Sequence, residues 1–488
     1  MKLGFKESCW VQDVQSRVFS TLGQPNWLAA LVTALLPLGI FKSLGSTKKI
    51  DFKFFFWAFL STILFVTLLF TRSKSGLGAF GVGALIFWVF IFWKNKLKFV
   101  REFLILNFLF GLSFLLIQSP FTGKELSQLP TPVGPALEVG GTGSGIIRKY
   151  VWLGALEVFK KNPIIGTGPE TFAYIFPRYK PVDHNLTSEW DFVYNKAHNE
   201  YLNVLANTGI LGFVTYMFVV VFSLRILFKT KAYELLAGYI AILITNFFGF
   251  SVVPVSLLFF LFPAIALTSN LEPLTLEKRG KLKSFQVLFV AIILVLASYL
   301  LYLIGQYFIA DIHYNKAKFF NRSGNVAMAK TEISKSLKIF KSEPVYLNEL
   351  GVAENNVDPI KKAVSISPNN INLLRSLAGI YSKNNNVQDA LKTIDSAIKL
   401  TPNDPKLYYQ MGIYFIKLGN LKETEVYLKK SIELKPDYKD ARFALGLTYI
   451  DLKEFKKAED ELNYILINID SKDELTKKYL DSLIQAQK

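Results

Sequence analysis

The residue best suited to proton transfer in this 488-residue chain is His198, one of three histidines. It ends a polar segment and stands directly before a long apolar run that begins near Gly209. Its imidazole is therefore expected where water meets a membrane. With an ordinary pKa of about 6.5, an imidazole can be neutral at working pH and accept a proton from a hydroxyl group. His198 thus predicts a general base, and the alternative is that it caps a helix or hydrogen-bonds at the headgroup level.

Arg72 and Lys74 form a second candidate site, in the turn Thr-Arg-Ser-Lys-Ser-Gly between two apolar runs. They have no acidic neighbour in the sequence. Cationic side chains in such a turn predict an anion site. The alternative is that they extend to lipid phosphates without any specific ligand.

A metal site or a phosphate-binding loop is not predicted. The two glycines of Gly166-Thr-Gly168 follow no strand and lack a Lys-Ser/Thr ending, so a tight turn is expected there. His184 and His198 lack metal-ligand spacing, and Cys9 is the only cysteine. His184 and the sequon that starts at Asn185 are assigned no function.

The composition predicts a membrane protein with two domains. Apolar residues make up 51% of the chain, and they dominate up to about Ile309 before a segment rich in Lys, Asn, Asp and Glu. The net charge of +18 comes partly from lysines beside the apolar runs, as membrane topology produces. Nucleic-acid binding is therefore not expected.

Eight apolar runs approach the length that crosses a bilayer of about 30 Å. Basic residues recur in every odd-numbered link between them, which places these links in the cytoplasm. The N-terminal tail, the Arg72 turn, the loop 119–208 and the chain after Ile309 are then expected on the outer side. The runs lie near 26–42, 54–71, 76–93, 102–118, 209–228, 232–250, 255–269 and 285–309.

A 34-residue period follows the last apolar run. Pro368, Pro402 and Pro436 show it, and small residues recur at the same spacing. This period resembles the tetratricopeptide repeat, in which paired helices stack into a solenoid. A protein partner on the repeat surface is expected, and the alternative is a spacer or a dimer contact. The expected units are 311–344, a degenerate unit 345–370, 371–404, 405–438 and 439–472, followed by a capping helix.

The membrane half resembles the bacterial O-antigen ligase and polymerase family of integral-membrane glycosyltransferases. Four stretches carry the resemblance: Arg17 to Ala29, the turn Thr71 to Gly76, Arg148 to Phe172, and His198 to Gly212. The resemblance implies an all-α, GT-C-like membrane bundle that uses a polyprenyl-diphosphate-linked glycan as donor. It also implies catalysis at the outer face of the bacterial inner membrane, with inversion at the anomeric carbon and without a metal or other cofactor.

The resemblance assigns roles to individual residues. His198 matches the general base. Arg17 and the turn with Arg72 and Lys74 match the diphosphate-binding positions, and Arg148 is a further candidate. The remaining matched residues are expected to shape the loops: Pro25, Asn26, Gly166, Gly168, Asn199, Gly209 and Gly212.

Two departures from the family concern this chain. The family usually has Arg where Lys74 stands, with Arg72 two residues earlier here. Family members usually also carry several spans before the Arg17 stretch, so the chain is expected to be a fragment or to need a partner that supplies them.

The expected domains are a tail or re-entrant segment 1–25, a ligase-like domain 26–309 and a repeat domain 310–488. The leading hypothesis is transfer of the glycan to an acceptor lipid, glycan or protein, and ligase and polymerase reactions would use the same residues. The alternative is a non-catalytic, membrane-anchored repeat scaffold for envelope assembly.

Overall fold

A computed structural model shows an all-helical protein. It describes residues 17–44, 51–96, 98–118, 142–268 and 283–486, and no strand occurs in these ranges. The all-α prediction is confirmed. The tail up to residue 16, the linker 119–141 and the basic links at 45–50 and 269–282 lie outside the described residues.

The chain divides into two compact units. The first unit comprises Met1–Phe176 and Thr187–Thr275, and the second comprises Pro177–Leu186 and Leu276–Lys488. These units follow from packing. The predicted domain boundaries after residues 25 and 309 were drawn at the ends of the apolar runs and not from packing, and they stay a prediction.

Each of the eight apolar runs forms a helix in the part of the chain that the structure describes. Six of these helices are long and apolar enough to cross a membrane, and the two at Tyr233–Phe247 and Val253–Thr268 are shorter. The helices are α1 Pro25–Ser43, α2 Phe52–Phe70, α3 Lys74–Asn95, α4 Val100–Gln118, α7 Glu200–Lys229, α8 Tyr233–Phe247, α9 Val253–Thr268 and α10 Ser284–Arg322.

Small residues let α1 approach its neighbours in the first unit. A Cβ added at Gly76 of α3 would meet Ala29, and one added at Gly238 of α8 would overlap the carbonyl of Ala34. Close backbone approach of this kind is how helices pack in lipid, where burial of apolar side chains gives little drive. This packing fixes α1, whose residues Asn26 and Trp27 line the candidate site.

Two further helices lie in the loop between α4 and α7. They are α5, Ser144–Lys161, and α6, Phe172–Tyr179. Along α5, Ile147, Val151 and Ala155 are buried at helical spacing, whereas Lys149 is exposed. The buried face of this amphipathic helix sets the position of Arg148.

The second unit is a series of helical hairpins with the predicted 34-residue period. The buried residues Ile394, Leu428 and Leu462 recur at this spacing, and Gly412 and Gly446 lie against the last two of them. Its helices after α10 are α11 Val326–Ile339, α12 Pro344–Glu354, α13 Val357–Ile366, α14 Ile371–Lys383, α15 Val387–Leu400, α16 Pro405–Lys417, α17 Leu421–Leu434, α18 Lys439–Asp451, α19 Phe455–Asn468 and α20 Glu474–Ala486.

Candidate functional site

His198 occupies the residue directly before the N-cap of α7. The side chain of Asn199 caps the helix, because its Oδ1 accepts a hydrogen bond of 3.1 Å from the backbone N–H of Leu202. His198 itself has a φ of +52°, in the left-handed region that few non-glycine residues adopt. Strained backbone of this kind clusters at functional sites.

Aromatic rings hold the imidazole of His198 from two directions. The ring centroid of Tyr194 lies 5.7 Å away and that of Phe250 lies 5.5 Å away, both in edge-on geometry. The hydroxyl of Tyr194 donates a 2.6 Å hydrogen bond to Glu189, which fixes the first of these rings.

The surroundings keep His198 neutral. Burial, and then the positive charge of Arg148, lower the pKa of the imidazole to about 4. At neutral pH the ring therefore carries no charge and has a nitrogen lone pair available for a proton. The side chain of Asn199, and not that of His198, caps the helix, so the alternative of a capping histidine does not apply.

Arg72 and Arg148 lie close enough to Arg17 to affect its guanidinium group. Burial lowers the pKa of the Arg17 guanidinium, and the charges of Arg72 and Arg148 lower it further. Burial also lowers the pKa of Arg148, which the carboxylate of Glu189 partly offsets. Guanidinium groups stay charged in proteins, so this concentration of positive charge favours an anion between them.

Two hydrogen bonds fix Arg17 beside the Arg72 turn. Its Nε donates to the backbone carbonyl of Thr71 at 2.8 Å, and its Nη2 donates to Oδ1 of Asn26 at 3.2 Å. The backbone N–H of Val18 also donates to the carbonyl of Phe70 at 3.2 Å. The segment before α1 is thereby joined to the end of α2.

The turn itself resembles the one at His198. Arg72 has a φ of +49°, and the next residue, Ser73, caps α3 by accepting a 3.2 Å hydrogen bond from the backbone N–H of Gly76. Lys74 is the first residue of α3, and both cationic side chains are exposed. The positive end of the α3 dipole adds to their attraction for an anion.

A small cavity brings His198, Arg148 and Asn26 together. Its volume is about 20 Å³, which is room for about one water molecule. Trp27 and Phe250 lie at the cavity with ring centroids 5.8 Å apart, in edge-on contact. The cavity is lined by Gln24, Asn26, Trp27, Ala30, Ser75, Arg148, His198, Thr245, Asn246, Phe248, Gly249 and Phe250.

A break in α7 receives the loop that contains Gly166 and Gly168. At Gly209 the backbone leaves the helix, with a φ of +63° and a ψ of −165°. The N–H groups of Thr167 and Gly168 then donate to the carbonyls of Ala206 and Asn207, at 3.3 and 2.8 Å. Backbone groups freed inside a membrane bundle need such partners.

The glycines at this break leave no room for side chains. A Cβ at Gly166 would overlap the backbone at Asn207, and a Cβ at Gly209 would overlap the carbonyl of Ile164. Gly168 has a φ of +108°, and a Cβ at Gly212 would overlap the side chain of Thr208. The segment 163–168 is thus a turn that packs closely against α7 near Asn207. This contact lies about one helical turn after Asn203, which bonds to the backbone before His198.

Three buried asparagines recur at the start of α7, and the second of them supports the residue before His198. Asn199, Asn203 and Asn207 are spaced by four and are all buried. Oδ1 of Asn203 accepts from the backbone N–H of Ala197 and from Nδ2 of Asn207, each at 3.4 Å. The spacing of the last two asparagines was a readable signal that sequence reasoning missed.

An ion pair joins the turn to the segment before His198. Lys196 pairs with Glu170, which follows the Gly168 turn.

Sequence reasoning also missed Phe250, Thr245 and Asn246, because they were assigned to an apolar run. In the described ranges, no group of three or more His, Cys, Asp or Glu side chains is arranged to hold a metal ion.

The fold defines a polytopic, α-helical membrane protein that also carries a helical repeat array. Its candidate site is a neutral imidazole beside a cationic cluster. Residues 59–217 match the family model described as O-antigen ligase, and residues 405–438 match a tetratricopeptide repeat model. The chain thus carries an O-antigen ligase domain followed by a tetratricopeptide repeat, as predicted. The ligase match includes Arg72, Arg148 and His198.

Solved structures of helical repeat proteins are similar to about a third of this chain. A tetratricopeptide repeat protein of Thermus thermophilus is 19% identical, with 36% of this chain and 99% of that chain covered and a TM-score of 0.31. MamA of Desulfovibrio magneticus RS-1 is also 19% identical, with 34% and 97% covered and a TM-score of 0.30. No curated protein sequence matches this chain.

Proposed function

We propose that this protein transfers a glycan from a polyprenyl diphosphate to the hydroxyl group of an acceptor at the outer face of the bacterial inner membrane. The observation that carries the proposal is the neutral imidazole of His198 beside Arg148 in one cavity. The match of residues 59–217 to the O-antigen ligase family supports it. That family indicates a glycosyltransferase or ligase activity.

The arginines would bind the leaving group. As the bond between the anomeric carbon and the diphosphate breaks, negative charge grows on the phosphate oxygen. Arg17, Arg72 and Arg148 interact more strongly with this developing charge than with the intact donor, which lowers the barrier. Lys74, the first residue of α3, would add a fourth charge at the positive end of that helix.

His198 would act on the acceptor. Its neutral ring takes the hydroxyl proton while the acceptor oxygen attacks the anomeric carbon, and the electrons of the broken bond leave with the diphosphate. Attack from the side opposite the leaving group inverts the anomeric carbon. An anion bound to Arg148 offsets the charge that lowers the pKa of His198, so donor binding makes the imidazole a stronger base.

The proposal needs no metal ion, because the arginines supply the charge that a metal would otherwise supply. The polyprenyl chain of the donor would lie in the lipid beside the apolar helices. The repeats would lie on the outer side and recruit the acceptor or an assembly partner. The acceptor is a lipid, a glycan or a protein.

Replacement of one histidine tests the proposal. His198→Gln keeps a polar side chain but removes the base, so transfer from a polyprenyl-diphosphate-linked oligosaccharide should fall by about 100-fold or more. His313→Gln, in the second unit, is the matched control, because His313 pairs with Glu332 and lies outside the cavity. It should keep full activity.

His198→Gln, compared with a deletion of the repeats, separates an enzyme from a scaffold. A scaffold function would survive His198→Gln and would be lost when the repeats are deleted. Full transfer activity in His198→Gln, at equal protein level in the membrane, would show that His198 is not the base.

A further inference from the structure

Residues 177–186 lie in the loop between α4 and α7, yet they belong to the second unit. The last five of them, Val182–Leu186, form a short 3₁₀ helix. Within this segment His184 and Asn185 are fully buried. Two adjacent polar side chains without solvent contact show that the segment is seated in the unit.

The side chain of Asn185 joins two repeats. Its Nδ2 donates to the backbone carbonyl of Asn403 at 2.8 Å and to that of Leu434 at 3.3 Å. Asn403 lies in the turn between α15 and α16, and Leu434 ends α17 just before the turn to α18. One amide group therefore contacts two successive turns of the array.

Two reciprocal hydrogen bonds hold the backbone of the segment. Nζ of Lys435 donates to the carbonyl of Asn185 at 3.1 Å, and Nδ2 of Asn403 donates to the carbonyl of Lys180 at 3.0 Å. Lys435 is only 6% exposed, and Asp437 pairs with its ammonium group at 2.8 Å. Buried hydrogen bonds of this kind are costly to lose, because each partner would be left without water.

The seated segment leads directly to the candidate base. Only 11 residues lie between Leu186 and His198. Along this stretch, Ser188 exchanges hydrogen bonds with Thr142, and Tyr194 donates to Glu189. An anchor at Asn185 reduces the number of conformations open to the loop before His198.

We propose that the turns at Asn403 and Leu434–Lys435 bind segment 177–186, and that Asn185, Asn403 and Lys435 are positioning residues for His198. This inference rests on the proposed function. The repeats then have a second task besides recruitment, since they set the geometry of the loop that carries the base. The contact also removes Asn185 from solvent, so the sequon Asn185-Leu186-Thr187 is closed to glycan attachment in the folded protein.

The test uses the full-length protein in detergent. Asn185→Asp keeps the size of the side chain but turns an oxygen toward two carbonyl groups, and Lys435→Met removes the ammonium group that holds the segment. Lys430→Met is the matched control, because Lys430 is on α17 and forms an exposed pair with Glu433.

Two measurements are made on each variant. Hydrogen exchange of the amides in 182–186 reports whether the segment is seated, and it needs no catalytic activity. It should become about 10-fold faster or more in the two test variants and stay unchanged in the control. The kcat for glycan transfer should fall about 10-fold, with the KM for the donor unchanged, because a misplaced base slows the chemical step without touching the diphosphate site.

The outcomes are distinct. Unchanged exchange in Asn185→Asp and Lys435→Met would overturn the binding of the segment by the repeats. Faster exchange with normal kcat would overturn the positioning role. A fully active His198→Gln variant would instead overturn the proposed function, while the exchange result would still report on the segment.

Discussion

Both units contain residues with left-handed backbone directly before a helix N-cap, but the residue types at these positions differ. In the second unit Asn385, Gly419 and Lys453 recur at 34-residue spacing with φ near +60° to +70°. Each follows the first helix of a hairpin and precedes the N-cap of the next. In the described part of the first unit, four residues with positive φ hold the same place before an N-cap: Gly23, Arg72, His198 and Lys231.

The comparison separates the shape of the backbone from the chemistry of the side chain that it presents. The repeat turn accepts Asn, Gly or Lys, so only its backbone shape is used. A left-handed non-glycine residue costs on the order of 1–3 kcal/mol, and it persists where its surroundings determine it. In the proposed function Arg72 binds the diphosphate and His198 accepts the proton, whereas Gly23 and Lys231 have no proposed role. Left-handed backbone before an N-cap therefore occurs in turns with and without a proposed chemical role, and the side chains of Arg72 and His198 distinguish these two turns from the others.

The largest effect on stability is expected from alanine at one of two glycines that have similar φ, Gly209 in the first unit and Gly419 in the second. Gly209→Ala puts a Cβ onto the carbonyl of Ile164, whereas Gly419→Ala meets nothing within 4 Å. Gly209→Ala should destabilise the protein by about 3 kcal/mol or more, from overlap added to strain. Gly419→Ala should cost about 1 kcal/mol. Thermal unfolding in detergent measures both, and equal effects would contradict the fitted turn at Gly209.

Glycine substitutions sharpen the comparison at the left-handed residues. Arg72→Gly and Lys453→Gly should each relieve strain and stabilise the protein by about 0.5–1 kcal/mol. Only Arg72→Gly should lower glycan transfer, by about 10-fold or more, because it removes a charge from the leaving-group site. Equal activity of the two variants would remove Arg72 from the site.

The pH dependence of transfer probes the electrostatics of His198. The reaction needs the neutral imidazole, so kcat/KM should be lost only as the pH falls through about 4. Arg148 is the second cause of the low pKa, after burial. Arg148→Gln should therefore move this acid limb to higher pH, toward but not reaching 6.5. A limb that stays in place would show that Arg148 does not act on His198.

The smallest effect is expected at the pair between Lys196 and Glu170. Glu170 is 71% exposed, and exposed ion pairs contribute less than about 1 kcal/mol. Lys196→Met should lower the unfolding temperature only slightly. A large loss would mean that this pair, and not the asparagines of α7, holds the segment before His198.

Features that depend on local periodicity were predictable from the sequence. The eight apolar helices, the amphipathic helix with Arg148 and the 34-residue hairpins all follow from the spacing of apolar residues along one segment. The roles of Arg17, Arg72, Lys74, Arg148 and His198 stay predictions. Their side chains belong to segments far apart in sequence, and the resemblance to a family, not a local pattern, suggested them.

Features that depend on distant pairing were not predictable. The break at Gly209 is stable because a loop some 40 residues earlier supplies its hydrogen bonds. Phe250 reaches His198 from another helix connection, and Asn185 finds its partners more than 200 residues later. Nothing in the local pattern around these residues specifies such partners.

Chemical rescue of His198→Gly tests the central claim most directly. Glycine suits the left-handed backbone at this position and leaves space where the ring was. Glycan transfer should be lost and then restored in part by added imidazole, with a pH dependence that follows free imidazole and not a pKa of about 4. A variant that is fully active without imidazole, or one that imidazole does not rescue at any concentration although it binds the donor normally, would contradict a proton-accepting role for His198.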